Sequence, residues 1–427
     1  MRRLHTPLEA AQWLRSHVRG DLRTDSRRVV AGDGFIAWPG GVTDARRFVP
    51  DVLAQDAAAC LVEAQNIEAF TAQMDDDARV ASYDGLKAAC GPVAAAYYEQ
   101  PSERIQVLAV TGTNGKTSTA WWLSHAMQQL GQRCALVGTL GVGEPGALKT
   151  TGMTTPDPVL LQSHLKTWAD DGVQACAMEA SSIGIAEHRL DGTQIRVAVF
   201  TNFTQDHLDY HGSMAAYWQA KAALFDWPGL QSAVINIDDA HGADLAHALR
   251  AKNHLSVWTC AINPSHNDAL VQTQHLQAQA ISQGAKGLSF EVVEGSQRVA
   301  LNTTLVGHYN VSNLLGVIAV LRALGHSLVE AVRACQSLPA VPGRMQTVGS
   351  VDEPQPSVVV DYAHTPDAIA QALQALRPLA QARAGALICV LGCGGDRDMH
   401  KRPLMAAAAA QHFMQPVGPR CEEEPVR

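Results

Sequence analysis

"VLAVTGTNGKTSTAWWL", residues 107–123, runs an apolar stretch into a glycine-bearing loop and on into a helical pattern. Gly115-Lys116-Thr117 matches the end of a phosphate-binding loop, G-x-x-x-x-G-K-[ST]. The leading glycine of that pattern belongs at position 110, where Val110 stands; the nearest glycine is Gly112. The context still favours a phosphate loop. A buried strand precedes it and a helix follows, closed by Gly131. Small residues let backbone N–H groups of Gly112, Thr113, Asn114, Gly115 and Ser118 converge on phosphate, with the positive helix start behind them. Lys116 is placed to reach the outer phosphates, and the Thr117 hydroxyl to hold Mg²⁺.

The surrounding chain sets the frame. Its 427 residues suffice for two or three domains, and 47% are hydrophobic against 17% charged, as in a compact folded protein. A net charge of −8 offers no global field for nucleic acid or an anionic membrane. No apolar run approaches the ~20 residues that span a bilayer, and "MRRLHTPLEAAQWLRSH" lacks the apolar centre of a signal peptide. Nine scattered cysteines without a C-x-x-C pair point to a reducing, cytoplasmic setting.

Short strand-like runs ("GDGFIAW", "AACLVEA") mix with helical ones up to a break near "YYEQPSERIQ". Beyond it "CALVGTL", "ACAMEASS", "VAVFTNF" and "SAVINID" alternate with helical stretches, the pattern of a parallel α/β sheet. A second break at "SLPAVPGRMQTVG" opens another α/β unit containing "SVVVDYAHTPDAIAQALQAL" and the strand-like "ALICVLGCGGDRD". Domains are expected at 1–100, 101–338 and 339–427. The alanine run at 406–410 reads as helix.

Two further stretches carry chemistry. In "MEASSIGIAEHRLDG" (178–192), Glu179 stands at the carboxyl end of a strand, where open α/β sheets bind ligands and a carboxylate can hold Mg²⁺. In "FTNFTQDHLDYHGSMAAYWQAKAALF" (200–225), His207 begins a loop after a strand and Lys221 lies on an amphipathic helix, a position usually taken by a surface charge.

Taken in order, the loop, M-E-x-S-S, N-x-x-x-D-H-x-D-x-H-G and A-K-x-x-L-F resemble the Mur ligases, ATP-dependent enzymes that build the peptide stem of bacterial cell-wall precursors. The resemblance implies three α/β domains: a uridine-nucleotide-binding domain, a central ATPase-like parallel sheet and a Rossmann-like C-terminal domain. It implies that Thr117, Glu179, His207 and Lys221 surround Mg²⁺, with Lys221 converted by CO₂ to a carbamate. Burial lowers a lysine pKa and leaves the amine free to react, and the carbamate oxygens suit a hard cation.

The N-terminal "LRTDSRRVVAGDGFIAWPGGVTDARRFV" resembles the MurE branch of that family, which implies Thr24 and Ser26 at the uridine end of the substrate. Gly41, Val42 and Thr43 would line the same pocket, though their sequence departs from the commoner one. "TTGMTTPDPV" gives Thr154 and Thr155, with Met153 where asparagine is frequent. Ser181, Glu187 and Arg189 fall on further substrate positions; Glu187 replaces a common glutamine, and Arg189 would clamp the pyrophosphate. "GHYNVSNLLGVIAVL" supplies Asn310 and Asn313 near the adenine; "VPGRMQTV" and "VVVDYAHTPDA" supply Arg344, Asp361 and His364 around the nucleotide. "LGCGGDRDMHKRPLM" supplies Arg397 for the incoming amino acid.

The resemblance weakens at the end. "GPRCEEEP" reads as a degenerate form of the D-N-P-R motif that selects meso-diaminopimelate, retaining Pro419 and Arg420, and the tail reads as truncated. The implied reaction joins meso-diaminopimelate to the D-glutamate of UDP-N-acetylmuramoyl-L-Ala-D-Glu, using ATP and Mg²⁺, in a cytoplasmic monomer. L-Lysine as the amino acid, a folylpolyglutamate synthase and an inactive nucleotide-binding remnant stay open; Thr117, where those synthases carry glycine, and the uridine-type N-terminus argue against the second.

Overall fold

The computed structural model describes residues 1–41, 43–70, 74, 77–252, 255–263, 274–284, 287–348, 356–392 and 401–411. The first unit holds strands β1 (Arg2–Leu4), β2 (Leu22–Arg23), β3 (Gly34–Ala37), β4 (Ala59–Glu63) and β5 (Val80–Tyr83), and helices α1 (Pro7–His17), α2 (Val49–Ala54) and α3 (Leu86–Tyr97). Its sheet has the order β1-β5-β4-β3-β2 with every pairing parallel. The loops after β2 and β3, which carry Thr24, Ser26, Gly41 and Thr43, therefore leave the carboxyl ends of neighbouring strands.

The central sheet is built from β6 (Gln106–Thr111), β7 (Cys134–Gly138), β8 (Gly141–Gly143), β9 (Ala175–Glu179), β10 (Ile195–Phe200), β11 (Ser232–Asn236), β12 (Ser256–Ala261), β13 (His275–Gly284), β14 (Gly287–Glu294) and β15 (Gln297–Thr303). Its order is β15-β14-β13-β12-β11-β10-β6-β9-β7-β8, parallel from β13 to β7 and antiparallel at both margins. Side chains alternate across a strand, so Leu108 and Val110 of β6 enter one core with Trp122, while Val107 and Ala109 enter another with Phe200 and Tyr217. Both faces are thus buried, which is why these strands read as continuous apolar runs.

Helices of this unit are α4 (Lys116–Gln129), α5 (Pro158–Asp170), α6 (Ser182–Ala186), α7 (Leu208–His211), α8 (Met214–Ala222), α9 (Ala240–Arg250), α10 (Tyr309–Ala323) and α11 (Leu328–Gln336). Their starts are chemically marked. Asp157 accepts from the N–H groups of Val159 and Leu160 with Pro158 at the first position, and Ser327 with Glu330 forms a capping box on α11.

α5 joins the two units: its Val159 completes the core formed by Leu14, Leu61 and Val93. Beside it α3 meets the turn at 191–192 backbone to backbone. A Cβ on Gly91 would stand 1.9 Å from the Asp191 carbonyl oxygen.

After α11 the chain forms a ribbon of β16 (Gln346–Val348) and β17 (Val358–Val360), then α12 (Pro366–Ala382) and α13 (Lys401–Gln411). α12 packs Ala372 and Ala375 with Met345 against Val306 and Tyr309, and Gln283 donates to the Ala375 carbonyl at 2.8 Å. The alanine run is helical, as expected. The expected strand within "ALICVLG" is not one: among the described residues 386–392 pair with no other strand, and Val390 is 97% exposed. Cys389 accordingly is half-buried rather than a core residue. No described helix is long and apolar enough to cross a membrane.

Candidate active site

The carboxyl ends of three adjacent strands, β10, β6 and β9, converge where the sheet changes winding direction, the usual ligand position in open α/β sheets. The loop from Gly112 to Gly115 leaves β6 there. Gly112 and Gly115 have φ of 141° and 85°, accessible to glycine. A Cβ on Gly112 would lie 1.9 Å from Thr201 Oγ1, and one on Gly115 2.4 Å from Asn313 Oδ1. The loop is thus pressed between the end of β10 and α10, which leaves no room for a Cβ at either glycine.

Asn202 fastens it. The Thr113 N–H donates to the Asn202 carbonyl at 2.9 Å, the Asn114 N–H to Asn202 Oδ1 at 2.9 Å, and Thr201 Oγ1 to the Asn114 carbonyl at 2.6 Å. The amides of Thr113 and Asn114 are thereby committed to Asn202. The first-turn amides of α4, from Lys116 through Ser118, have no carbonyl behind them within the helix. Lys116 folds over the loop, donating to the carbonyls of Gly112 (2.9 Å) and Thr113 (2.8 Å). Burial lowers its pKa, opposed by Glu179 and Asp206.

Glu179, at the end of β9, is 2% exposed. It accepts from Thr117 Oγ1 at 3.0 Å and from the Thr139 N–H at 2.7 Å. Four expected substrate residues run off this point as one network. Thr155 Oγ1 donates to the Glu179 carbonyl at 2.8 Å and lies 3.1 Å from Ser181 Oγ, which in turn caps α6 at the Gly184 N–H, 3.0 Å away. Arg189 donates to the Thr155 carbonyl at 3.0 Å, and Thr154 Oγ1 sits 3.1 Å from Thr139 Oγ1. Glu187 instead pairs with Lys87 and Tyr210.

Lys221 is buried to 1% exposure on α8. Its Nζ donates to the Gly112 carbonyl at 2.6 Å and lies 4.5 Å from the centre of the Tyr217 ring. Burial drives its pKa far down, Lys116 adds to the fall, and Asp206 opposes it. His207, at φ 49°, opens α7; its Nε2 is 3.5 Å from the buried Asp206 carboxylate, and its ring stands edge-on to Tyr217 at 6.1 Å. Among the described residues no three His, Cys, Asp or Glu side chains form a metal-binding group. The hard oxygens of Thr117 and Glu179 do fit Mg²⁺. Lys221 would fit as a carbamate, whose oxygens suit a hard cation; its depressed pKa leaves the neutral amine that such a conversion needs.

On the far side, Asn313 Nδ2 donates to Asn310 Oδ1 at 3.1 Å, and Asn310 Nδ2 to the Val306 carbonyl at 2.7 Å. Behind the loop a small gap of about 10 Å³, room for no more than a water, lies between Thr119, Thr201, Asn236, Ser312 and Asn313. From the C-terminal unit, the Arg344 guanidinium stacks 4.7 Å from the Tyr362 ring centre. Asp361 accepts from the Met345 and Ala363 N–H groups, both at 2.8 Å, and His364 Nε2 comes within 4.0 Å of Asp206.

The remaining expected residues that the structure describes lie on the first unit. Ser26 begins a short 3₁₀ turn that Asp25 caps while pairing with Arg27 at 2.8 Å; Gly41 and Thr43 sit in a tight turn closed by the Gly40 N–H on the Thr43 carbonyl at 2.9 Å. Val42, Arg397 and Arg420 lie outside the described residues. Asn202, Asp206, Tyr217 and Thr139 were not singled out from sequence. Asn202 carried a signal, an amide directly after a strand that ends beside the loop; Tyr217 and Thr139 carried none.

A family model described as the Mur ligase middle domain matches residues 110–321, and one described as the Mur ligase glutamate ligase domain matches residues 343–415. A UDP-N-acetylmuramoyl-L-alanyl-D-glutamate–2,6-diaminopimelate ligase from Acidovorax sp. is 54% identical over 98% of this chain and 83% of its own length. The chain belongs to the Mur ligase family. A ligase of the same name from Pseudomonas aeruginosa is 43% identical over 91% of this Mur ligase and 76% of its own chain. A solved structure bearing that name superposes with a TM-score of 0.70 at 32% identity, covering 92% of this chain and 76% of that one. The MurF ligase of Thermotoga maritima in complex with ADP, at TM-score 0.58 and 17% identity over 84% of this chain and 74% of that one, shares the fold.

Proposed function

We infer that this Mur ligase is an ATP-dependent, ADP-forming acid–amino-acid ligase that joins meso-diaminopimelate to the D-glutamate of UDP-N-acetylmuramoyl-L-Ala-D-Glu in cell-wall precursor synthesis. The observation that carries it is the 54% identity, across nearly the whole chain, to a ligase named for that reaction. The site geometry supports it: phosphate loop, Glu179 and Lys221 meet at one edge of the sheet. We propose the division of labour 1–100 for the sugar nucleotide, 101–338 for ATP and 339–427 for the amino acid.

A carboxylate is a poor electrophile, so one of its oxygens first attacks the γ-phosphate of ATP, releasing ADP and leaving an acyl phosphate. The amine then attacks the acyl carbon, and phosphate leaves. Lys116 would exchange its two loop carbonyls for phosphate oxygens and meet the charge that develops in transfer. Thr117, Glu179 and His207 would hold Mg²⁺, and carbamylated Lys221 would support a second ion; the metal supplies charge neutralisation on the phosphates. The carbamate forms when the neutral Lys221 amine adds to CO₂ and loses a proton. Thr155, Ser181 and Arg189 orient the sugar nucleotide, with Thr24, Ser26, Gly41 and Thr43 toward its uridine end. Asn310 and Asn313 would face the adenine, and Arg344, Asp361 and His364 the remaining nucleotide.

Phosphate release from ATP tests the reading. The protein receives UDP-N-acetylmuramoyl-L-Ala-D-Glu with meso-diaminopimelate, with L-lysine or with neither. Release that depends on diaminopimelate supports it; release with L-lysine alone moves the assignment to the lysine-adding activity; no release under any condition overturns it.

A further inference from the structure

The carboxylate of Glu187 joins three pieces of chain that the sequence keeps apart. Glu187 follows α6. Its Oε2 lies 2.8 Å from Nζ of Lys87, at the start of α3 in the first unit. Its Oε1 accepts the hydroxyl of Tyr210 on α7. A second tie between α6 and α7 runs from His211 Nε2 to Ser182 Oγ at 3.0 Å. Arg189 stands close enough to act electrostatically on both Glu187 and Tyr210.

Lys87 first, and Tyr210 second, hold the Glu187 carboxyl below its usual pKa, so it stays ionised at neutral pH. That fixed negative charge sits near Arg189, which itself donates to the Thr155 carbonyl. The sugar nucleotide proposed to dock there carries a diphosphate and carboxylates of its own. Like charges repel, and the less water lies between them the more they do so. The pair is partly exposed, 43% and 31% for Lys87 and Glu187, so it adds little to folding and its effect falls on what approaches it.

We propose that Lys87 is a positioning residue for the anionic substrate: reaching across from the first unit, it neutralises Glu187 and steadies the Tyr210 helix, so the substrate meets Arg189 without an opposing charge. The proposal rests on the reading that the Thr155–Arg189 face binds the sugar nucleotide.

Four variants test it: Lys87→Met, Lys87→Arg, Glu187→Gln and the Lys87→Met/Glu187→Gln pair. Steady-state kinetics give kcat and both KM values, and calorimetry gives the Kd for UDP-N-acetylmuramoyl-L-Ala-D-Glu. Lys87→Met is expected to raise the sugar-nucleotide KM and Kd about tenfold, with the ATP KM within about twofold. Lys87→Arg keeps the charge and most of the affinity. Adding Glu187→Gln to Lys87→Met removes the uncompensated charge and recovers most of the loss. The proposal is overturned if Lys87→Met binds the substrate as wild type does, or if the double variant is no better than Lys87→Met. Wild-type protein that binds no sugar nucleotide overturns the underlying reading as well.

Discussion

The Nζ of Lys221 lies 2.6 Å from the carbonyl oxygen of Gly112. A side chain from α8, whose local pattern is that of a surface lysine and which the family resemblance alone singled out, thus anchors the first residue of the phosphate loop. Lys221→Ala should lower ligation by at least about a thousandfold, the scale of losing a preorganised charge in a dry site. Added bicarbonate should not restore it, because the reacting amine is gone. The phosphate-release assay decides; wild-type turnover in the variant would sink the carbamate assignment.

The same lysine sets a pH dependence. Its folded pKa is depressed by burial, whereas an unfolded lysine titrates near about 10.4. Between those values the unfolded chain holds a proton that the folded chain does not, so stability contributed by this site rises with pH through the window and falls away on acidification. The carbamate should follow, since only neutral amine adds CO₂. With ¹³C-labelled bicarbonate, a carbonyl resonance present at alkaline pH should fade as pH is lowered and be missing from Lys221→Ala.

Gly115→Ala should disable the loop. The new Cβ would stand 2.4 Å from Asn313 Oδ1, at a φ of 85°. Left-handed backbone costs a non-glycine residue roughly 1–2 kcal/mol before any clash. The ATP KM should rise about tenfold or more with it. Gly131→Ala, at φ 76° with nothing within 4 Å, is the control: it bears the backbone cost alone and should leave the ATP KM near wild type.

Arg46 is 3% exposed. It pairs with Asp44 at 2.7 Å and donates to the carbonyls of Glu63 (3.1 Å) and Gln65 (2.6 Å). Arg46→Leu leaves a carboxylate and two carbonyls without that donor, which should destabilise the first unit by about 2–4 kcal/mol. Urea unfolding followed by tryptophan fluorescence would measure it, Trp13 and Trp38 reporting on that unit.

The sequence made the phosphate loop legible because strand, glycine loop and helix follow one another without interruption. Glu179 was legible for a similar reason: its strand is a short run of small and apolar residues, and its position is terminal. The burial of Lys221 was not, since helical periodicity shows one apolar face and says nothing of what another element lays over the other. Nor was the fastening of the loop, because Asn202 reaches it from a neighbouring strand far along the chain. The misread stretch, residues 386–392, shows the opposite failure. An apolar, β-branched run states a preference, but a strand is made by its neighbour, and the described residues supply none there.

Trp122 Nε1 donates to the carbonyl of Pro339 at 3.0 Å, so the helix that starts at the phosphate loop is riveted to the joint where the last unit begins. If the last unit turns about that segment during a reaction cycle, its pivot would be fixed in the frame of the phosphate loop, and its path would be set by the helix that the loop begins.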